Sequence, residues 1–135
     1  MKYFKLVEFY HSATARQLCI NNTPDDESRR NLIALVENVL DPAREAMGEP
    51  VWVNSGFRCA LLNKALGGVP DSQHLCGEAA DVTTASLDGN RRLFEVLRSL
   101  PFDQLIWERG NDRGPAWVHV SFRREGKNRG EVLRL

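Results

Sequence analysis

The apolar residues of this chain change period part way along it, and that change limits the folds open to it. Leu32, Leu35, Val36, Val39, Leu40, Ala43 and Met47 recur at helical spacing, whereas Trp117-Val118-His119-Val120-Ser121 alternates. Helical spacing gathers side chains on one stripe, and alternation sends them to opposite faces of a strand. Residues 25 to 47 are therefore expected to form one long amphipathic helix, started by Thr23-Pro24 and the acids that follow, and kinked or divided at Pro42. Residues 3 to 20 read as one or two short helices with Ser12 as an N-cap. "CALLNKALGG" reads as a short helix stopped by Gly67-Gly68. In "SLDGNRRLFEVLRSLP" a further helix buries Leu93, Phe94, Val96, Leu97 and Leu100 and ends at Pro101. "EPVWVNSGFR" is expected to hold a short buried strand, and "AADVTT" a second. "FDQLIWE" and "AWVHVSF" read as two strands joined by "RGNDRGP", with a short terminal strand in "EVLRL". Helices first and a run of strands later predict an α+β fold with helices packed on a mainly antiparallel sheet.

With 135 residues, 1–135 fits a single domain able to bury a core without disulfide or metal staples. A metal, if bound, is then there for chemistry. The formal net charge is zero, which offers nothing to nucleic acid or to an anionic membrane surface. No run approaches the roughly 20 apolar residues of a membrane span. "MKYFKLVEFYHSATARQL" lacks the continuous apolar stretch of a signal peptide, so synthesis as a soluble cytoplasmic protein, monomeric, is the expectation. Cys19, Cys59 and Cys76 are odd in number and have no CxxC spacing, which predicts free thiols.

The chemistry is concentrated in "DSQHLCGEAADV", residues 71 to 82. His74 would lie on a loop and Asp81 at the mouth of the next strand, while His119 shares a strand face with Trp117 and Ser121. Two histidines and one carboxylate meet the need of a hydrolytic zinc site for three ligands and one open position. Read blandly, His74 is a surface loop residue, Asp81 caps a turn, and His119 is a hydrogen-bonded core histidine.

The wording around these residues goes further. Ser72, His74, Gly77, Ala79 and Asp81 stand as S-x-H-x-x-G-x-A-x-D, which resembles the zinc-site signature of the D-alanyl-D-alanine carboxypeptidase and dipeptidase family of metallopeptidases, the M15 group. "VNSGFR" is similar to that family's S-G-[FY]-R segment, and "WVHVSF" to its W-[VI]-H-[VI]-S strand. The resemblance implies Zn2+ held by His74, Asp81 and His119, in a Hedgehog/DD-peptidase-like fold. Arg58 matches an arginine that lies at the substrate, where its planar fork polarises the scissile carbonyl or holds a carboxylate. Ser72 matches a serine near the substrate; its alternative is a local hydrogen bond that stabilises the turn. Gly77 would let the loop reverse, and Ala79 and Ala80 would leave room beside the metal. Cys76 lies outside the matched positions and is expected to be a small buried residue.

A zinc peptidase also needs a carboxylate to take a proton from water and pass it to the leaving amine. Several relatives carry an acid three positions before the last histidine ligand, and Ala116 stands there in this chain. Glu108 is the first candidate in its place, because it ends the strand before "AWVHVSF" and "DQLIWE" resembles a segment of the family's carboxypeptidase-like branch. The condition is the strand register that sets Glu108 and Gln104 beside His119, where Gln104 would touch substrate. The other register offers Asp103. Glu78 is expected to face solvent. The expected function is a zinc peptidase cutting peptidoglycan stem peptides next to a D-amino acid, as a D-Ala-D-Ala carboxypeptidase or a murein endopeptidase of the endolysin kind. The rivals are a non-catalytic zinc-binding module of the same fold and a metal-free peptide-binding domain.

Overall fold

A computed structural model describes residues 1–135. The N-terminal segment makes a 3₁₀ turn, Leu6–Phe9, and a short helix α1, Ala13–Gln17. Ser12 caps α1 by accepting from the Ala15 amide at 3.2 Å. The long amphipathic segment runs from α2, Asp26–Leu35, through a wide π turn, Val36–Leu40, into α3, Asp41–Met47. Its start is capped by Asp25, one position beyond Pro24, through the Ser28 amide.

The π turn accounts for how Pro42 is accommodated. A proline inside a helix has no N–H to donate, and its ring collides with the carbonyl four residues back, here Asn38. The Asp41 amide bonds instead to Val36, five residues back, and the widened turn makes room for the ring. The helical segment thus passes its proline without a break.

Strand β1, Trp52–Ser55, is followed by α4, Ala60–Ala65, a 3₁₀ turn, Gln73–Cys76, and strand β2, Ala79–Thr83. Helix α5, Leu87–Arg98, is capped by Ser86 and leads to β3, Gln104–Glu108, β4, Trp117–Ser121, and β5, Glu131–Arg134. The five strands form an open sheet in the order β1-β2-β4-β3-β5. All pairs are antiparallel except β3 with β5, which is parallel. β4 already has β2 and β3 on its two edges, so the chain leaving it cannot form another hairpin there and docks on the free edge of β3.

β1 differs from the buried strand expected: it is an edge strand, with Trp52 51% exposed. No helix is long and apolar enough to cross a membrane.

One sheet face is closed by the helices. Leu32, Leu35, Val36 and Val39 pack with Leu93, Phe94 and Leu97 against Val82, Leu105, Val118 and Val120, all within one buried cluster. Each such side chain taken fully out of water contributes about 1.5–3 kcal/mol before entropy is counted. The opposite face carries the polar residues and is open along a cleft.

Candidate metal centre

Register sets the three candidate ligands side by side. Asp81 on β2 is directly opposite His119 on β4, and Ile106 on β3 is the next partner of His119. His74 arrives from the 3₁₀ turn, which is capped by Ser72: its Oγ accepts from the His74 N–H at 3.1 Å. At the far end of that turn Gly77 takes a positive φ of 75°, and a Cβ there would collide with the Ser28 carbonyl. The loop can reverse between the ligands only because this position has no side chain.

The ligand atoms of His74, Asp81 and His119 all lie within 4.8 Å of one another. His74 Nε2 is 3.4 Å from one Asp81 carboxylate oxygen, and His119 Nδ1 is 2.9 Å from the other. The Gly56 carbonyl lies 2.6 Å from His74 Nδ1 and can only accept, so Nδ1 carries the proton and Nε2 is left with its lone pair toward Asp81. Burial by itself would raise the Asp81 carboxyl, but the hydrogen bond from His119 and the two neighbouring imidazoles outweigh it and hold the group well below the usual carboxylate range. Two nitrogens and an anionic oxygen, oriented and nearly dry, suit Zn2+.

Around them lies a cleft of about 380 Å³ lined by Arg58, Ser72, Gln104, Glu108 and Trp117 as well as the three ligand candidates. Arg58 is held by its whole fork: Nε donates to Ser55 Oγ at 2.9 Å, Nη1 to Asn63 Oδ1 at 3.4 Å and Nη2 to Asp81 at 3.3 Å. Ser55 can do this because β1 is irregular between Val53 and Ser55, which re-aims the strand end and pairs Ser55 with Asp81.

Glu108 stands on the cleft face, opposite Trp117, and is half-buried. Burial and then the nearby Asp81 charge raise its carboxyl, against the lowering effect of His119, Arg109 and His74. Gln104 shares that face, but its amide donates to Glu131 on β5 at 2.7 Å. Ser72 both caps its turn and lines the cleft, so the two roles weighed from sequence coexist in position.

The alternative register is absent, and Asp103 is no neighbour of His119. It is fully buried and held by Arg129 at 2.8 Å, Gln73 at 3.1 Å and Arg123 at 3.4 Å. Burial raises its carboxyl and Arg129 lowers it by more, leaving it at about 2. Asp103 thus ties the loop before β5 to the turn that carries His74.

Cys76 is half-buried rather than buried, and its thiol points at the Gln73 carbonyl and at Glu78, 3.2 Å away. Burial first and the Glu78 carboxylate second push that thiol up to about 11, which is the wrong direction for a ligand. Glu78 is half-buried in this contact instead of free in solvent. All three cysteines are free thiols, as their number and spacing predict.

The roles of three site residues escaped the sequence reading. Asn63, buried on α4, accepts from Arg58 and donates to the Val69 carbonyl at 2.9 Å. A lone asparagine in a helix carries no signal of such a role. Ser55 and Gly56 lay within the recognised "VNSGFR", but nothing in their spacing named Arg58 and His74 as their partners.

Comparison with known proteins agrees with this geometry. The family model described as Peptidase M15 matches residues 2–121. The chain is also similar to a zinc D-Ala-D-Ala carboxypeptidase of Streptomyces albus G, 37% identical over 68 residues, which cover 50% of this chain. That match spans 26% of the relative's own length. Matched over most of its length by the family model, and carrying the His-Asp-His group on one sheet face, the chain belongs to the peptidase M15 family.

Proposed function

We propose that this chain is a zinc peptidase of one domain, in the Hedgehog/DD-peptidase-like fold, that hydrolyses peptidoglycan stem peptides at a bond next to a D-amino acid. The observation that carries the reading is the convergence of His74, Asp81 and His119 in one cleft with Glu108 and Arg58. The substrate class follows the similarity to the Streptomyces albus G carboxypeptidase, which spans half of this chain.

His74 through Nε2, Asp81 through its carboxylate and His119 through Nδ1 would hold the metal. Zinc in such a site supplies Lewis acidity, polarising a peptide carbonyl and acidifying water. Glu108 accepts a proton from the attacking water and returns it to the leaving amine. Its raised carboxyl suits both halves of that cycle. Arg58, fixed by Ser55 and Asn63, presents a cationic fork to the developing oxyanion.

The departure at Ala116 also gains an account. The Ala116 amide bonds to the Glu108 carbonyl at 2.9 Å, so Glu108 is the neighbour of the position where relatives carry their acid. An acid on β3 can serve the space that an acid on β4 would serve. The non-catalytic zinc module is the reading to which Ala116 would otherwise point.

The test uses zinc-loaded wild type and Glu108→Gln on defined muropeptides, with products read by mass spectrometry. Wild type should release product, and Glu108→Gln should keep its zinc while losing about 10²–10⁴-fold in kcat. An active Glu108→Gln would transfer the base role elsewhere, and an inactive wild type with full zinc would favour the non-catalytic module.

A further inference from the structure

The metal cleft does not end at Arg58. Arg58 and Leu66 line both the cleft and an adjoining groove of about 800 Å³, roughly twice the cleft's volume. One wall of this groove is β1 and the other is the N-terminal segment from Val7 to Thr14. β1 is the outermost strand and pairs with β2 alone, so no strand occupies its other edge. An extended peptide can add to such an edge through main-chain hydrogen bonds.

The side chains fit the same use. Trp52 pairs with Thr83 and Ser55 with Asp81, so Trp52 stands on the sheet face that carries the metal ligands. It is 51% exposed, and Val7 on the opposite wall is 50% exposed. Large apolar groups left in water on both sides of a concave surface offer contact area to a ligand.

Charge argues against a terminal pocket. Releasing a C-terminal residue calls for a free cation to capture the substrate carboxylate. Arg58 is the only arginine or lysine lining either the cleft or the groove. Ser55, Asn63 and Asp81 take three of its five N–H groups and the oxyanion role takes the rest, so no second cation remains for a terminal carboxylate.

We propose that the groove between β1 and the N-terminal segment is the second half of the substrate site, holding the extended peptide that continues past the scissile bond, so that the chain cuts stem peptides internally. This rests on the peptidase reading above and names which peptidase it is. Water adds across an internal C–N bond, its oxygen to the carbonyl carbon and its proton to the leaving nitrogen, and no other reactant is needed.

The test compares a cross-linked muropeptide dimer with a monomeric pentapeptide stem, using zinc-loaded wild type and two groove variants. Ala13→Trp fills the groove from an exposed position, and Trp52→Ala removes a wall that is half in water. Thermal melts establish that each variant is folded, and either one suffices. Wild type should cut the dimer internally with kcat/KM at least about tenfold above terminal alanine release, and each variant should lower the dimer value about tenfold. Dimer affinity, measured by calorimetry on Glu108→Gln with and without the groove substitutions, should fall in parallel.

Terminal release that matches or exceeds internal cutting, or dimer cleavage untouched by both substitutions, overturns the groove and leaves the peptidase reading standing. No product from any muropeptide overturns the peptidase reading itself. The groove is then judged by calorimetry, where unchanged dimer affinity in the filled variant overturns it and weakened affinity supports it.

Discussion

The two faces of β4 belong to one strand and obey different rules. Val118 and Val120 are wholly buried against the helices, where their positions are set by packing. His119, between them in sequence, faces the other way and is positioned by Asp81 at 2.9 Å. On the packed face many neighbours share the placement of each side chain, and a changed side chain is felt as lost stability. On the cleft face a few directed hydrogen bonds do the placing, so a changed side chain is felt as lost chemistry. The sheet lets both be served by residues one position apart.

Substitutions on the two faces should therefore cause opposite losses. His119→Ala should abolish peptide hydrolysis and lose stoichiometric zinc by elemental analysis, while the metal-free protein still melts cooperatively near wild type. Full zinc occupancy in that variant would remove His119 from the ligand set.

Leu105→Ala, on the packed face opposite Val120, should do the reverse. We expect a loss of about 2–5 kcal/mol in urea unfolding with zinc content unchanged in the folded protein. A loss under 1 kcal/mol would mean that the core tolerates the cavity by collapse.

Asp103 tests an intermediate case, since it is buried by packing yet held by charge. Its carboxyl drops from 3.8 in the unfolded chain to about 2 in the folded one. The depressed value contributes stability that is fully present above the unfolded pKa and is lost as pH falls through the folded one. Asp103→Asn should therefore flatten the stability profile between pH about 4 and about 2, by roughly 2 kcal/mol. A profile as steep as wild type would show that Arg129 and Arg123 give this carboxylate no net stabilisation.

The smallest effect is expected at Cys76. Its thiol bonds to the Gln73 carbonyl and Glu78 and is not among the converging ligand atoms, so Cys76→Ala should leave zinc stoichiometry and affinity within twofold of wild type by competition with a chelator. A tenfold weaker site would bring Cys76 back as a ligand or a support for one.

How these outcomes could be anticipated differs from residue to residue. The ligand candidates were legible because their spacing and neighbours form three ordered segments, and the cap at Ser12 because capping is local. Cys76 could be set aside from the pattern but not placed, since its contacts with Gln73 and Glu78 depend on how one short turn closes. Asn63 and Ser55 could not be named as holders of Arg58, because a hydrogen bond across five residues and a strand irregularity leaves no periodic trace.

By itself the sequence determined what is decided within one element: the stripe of the long helix, the alternation that separates His119 from Val118 and Val120, and the kinds of donor atom available. Tertiary structure alone decided what depends on pairing between distant segments. Register put Glu108 on the cleft face and left Asp103 buried off it, occupied edges on β4 sent β5 parallel to β3, and the outer position of β1 left a groove beside the cleft. The physical reason is that a period of two fixes which side chains share a face, whereas the partner strand and its offset are set by core packing and loop closure summed over the whole chain.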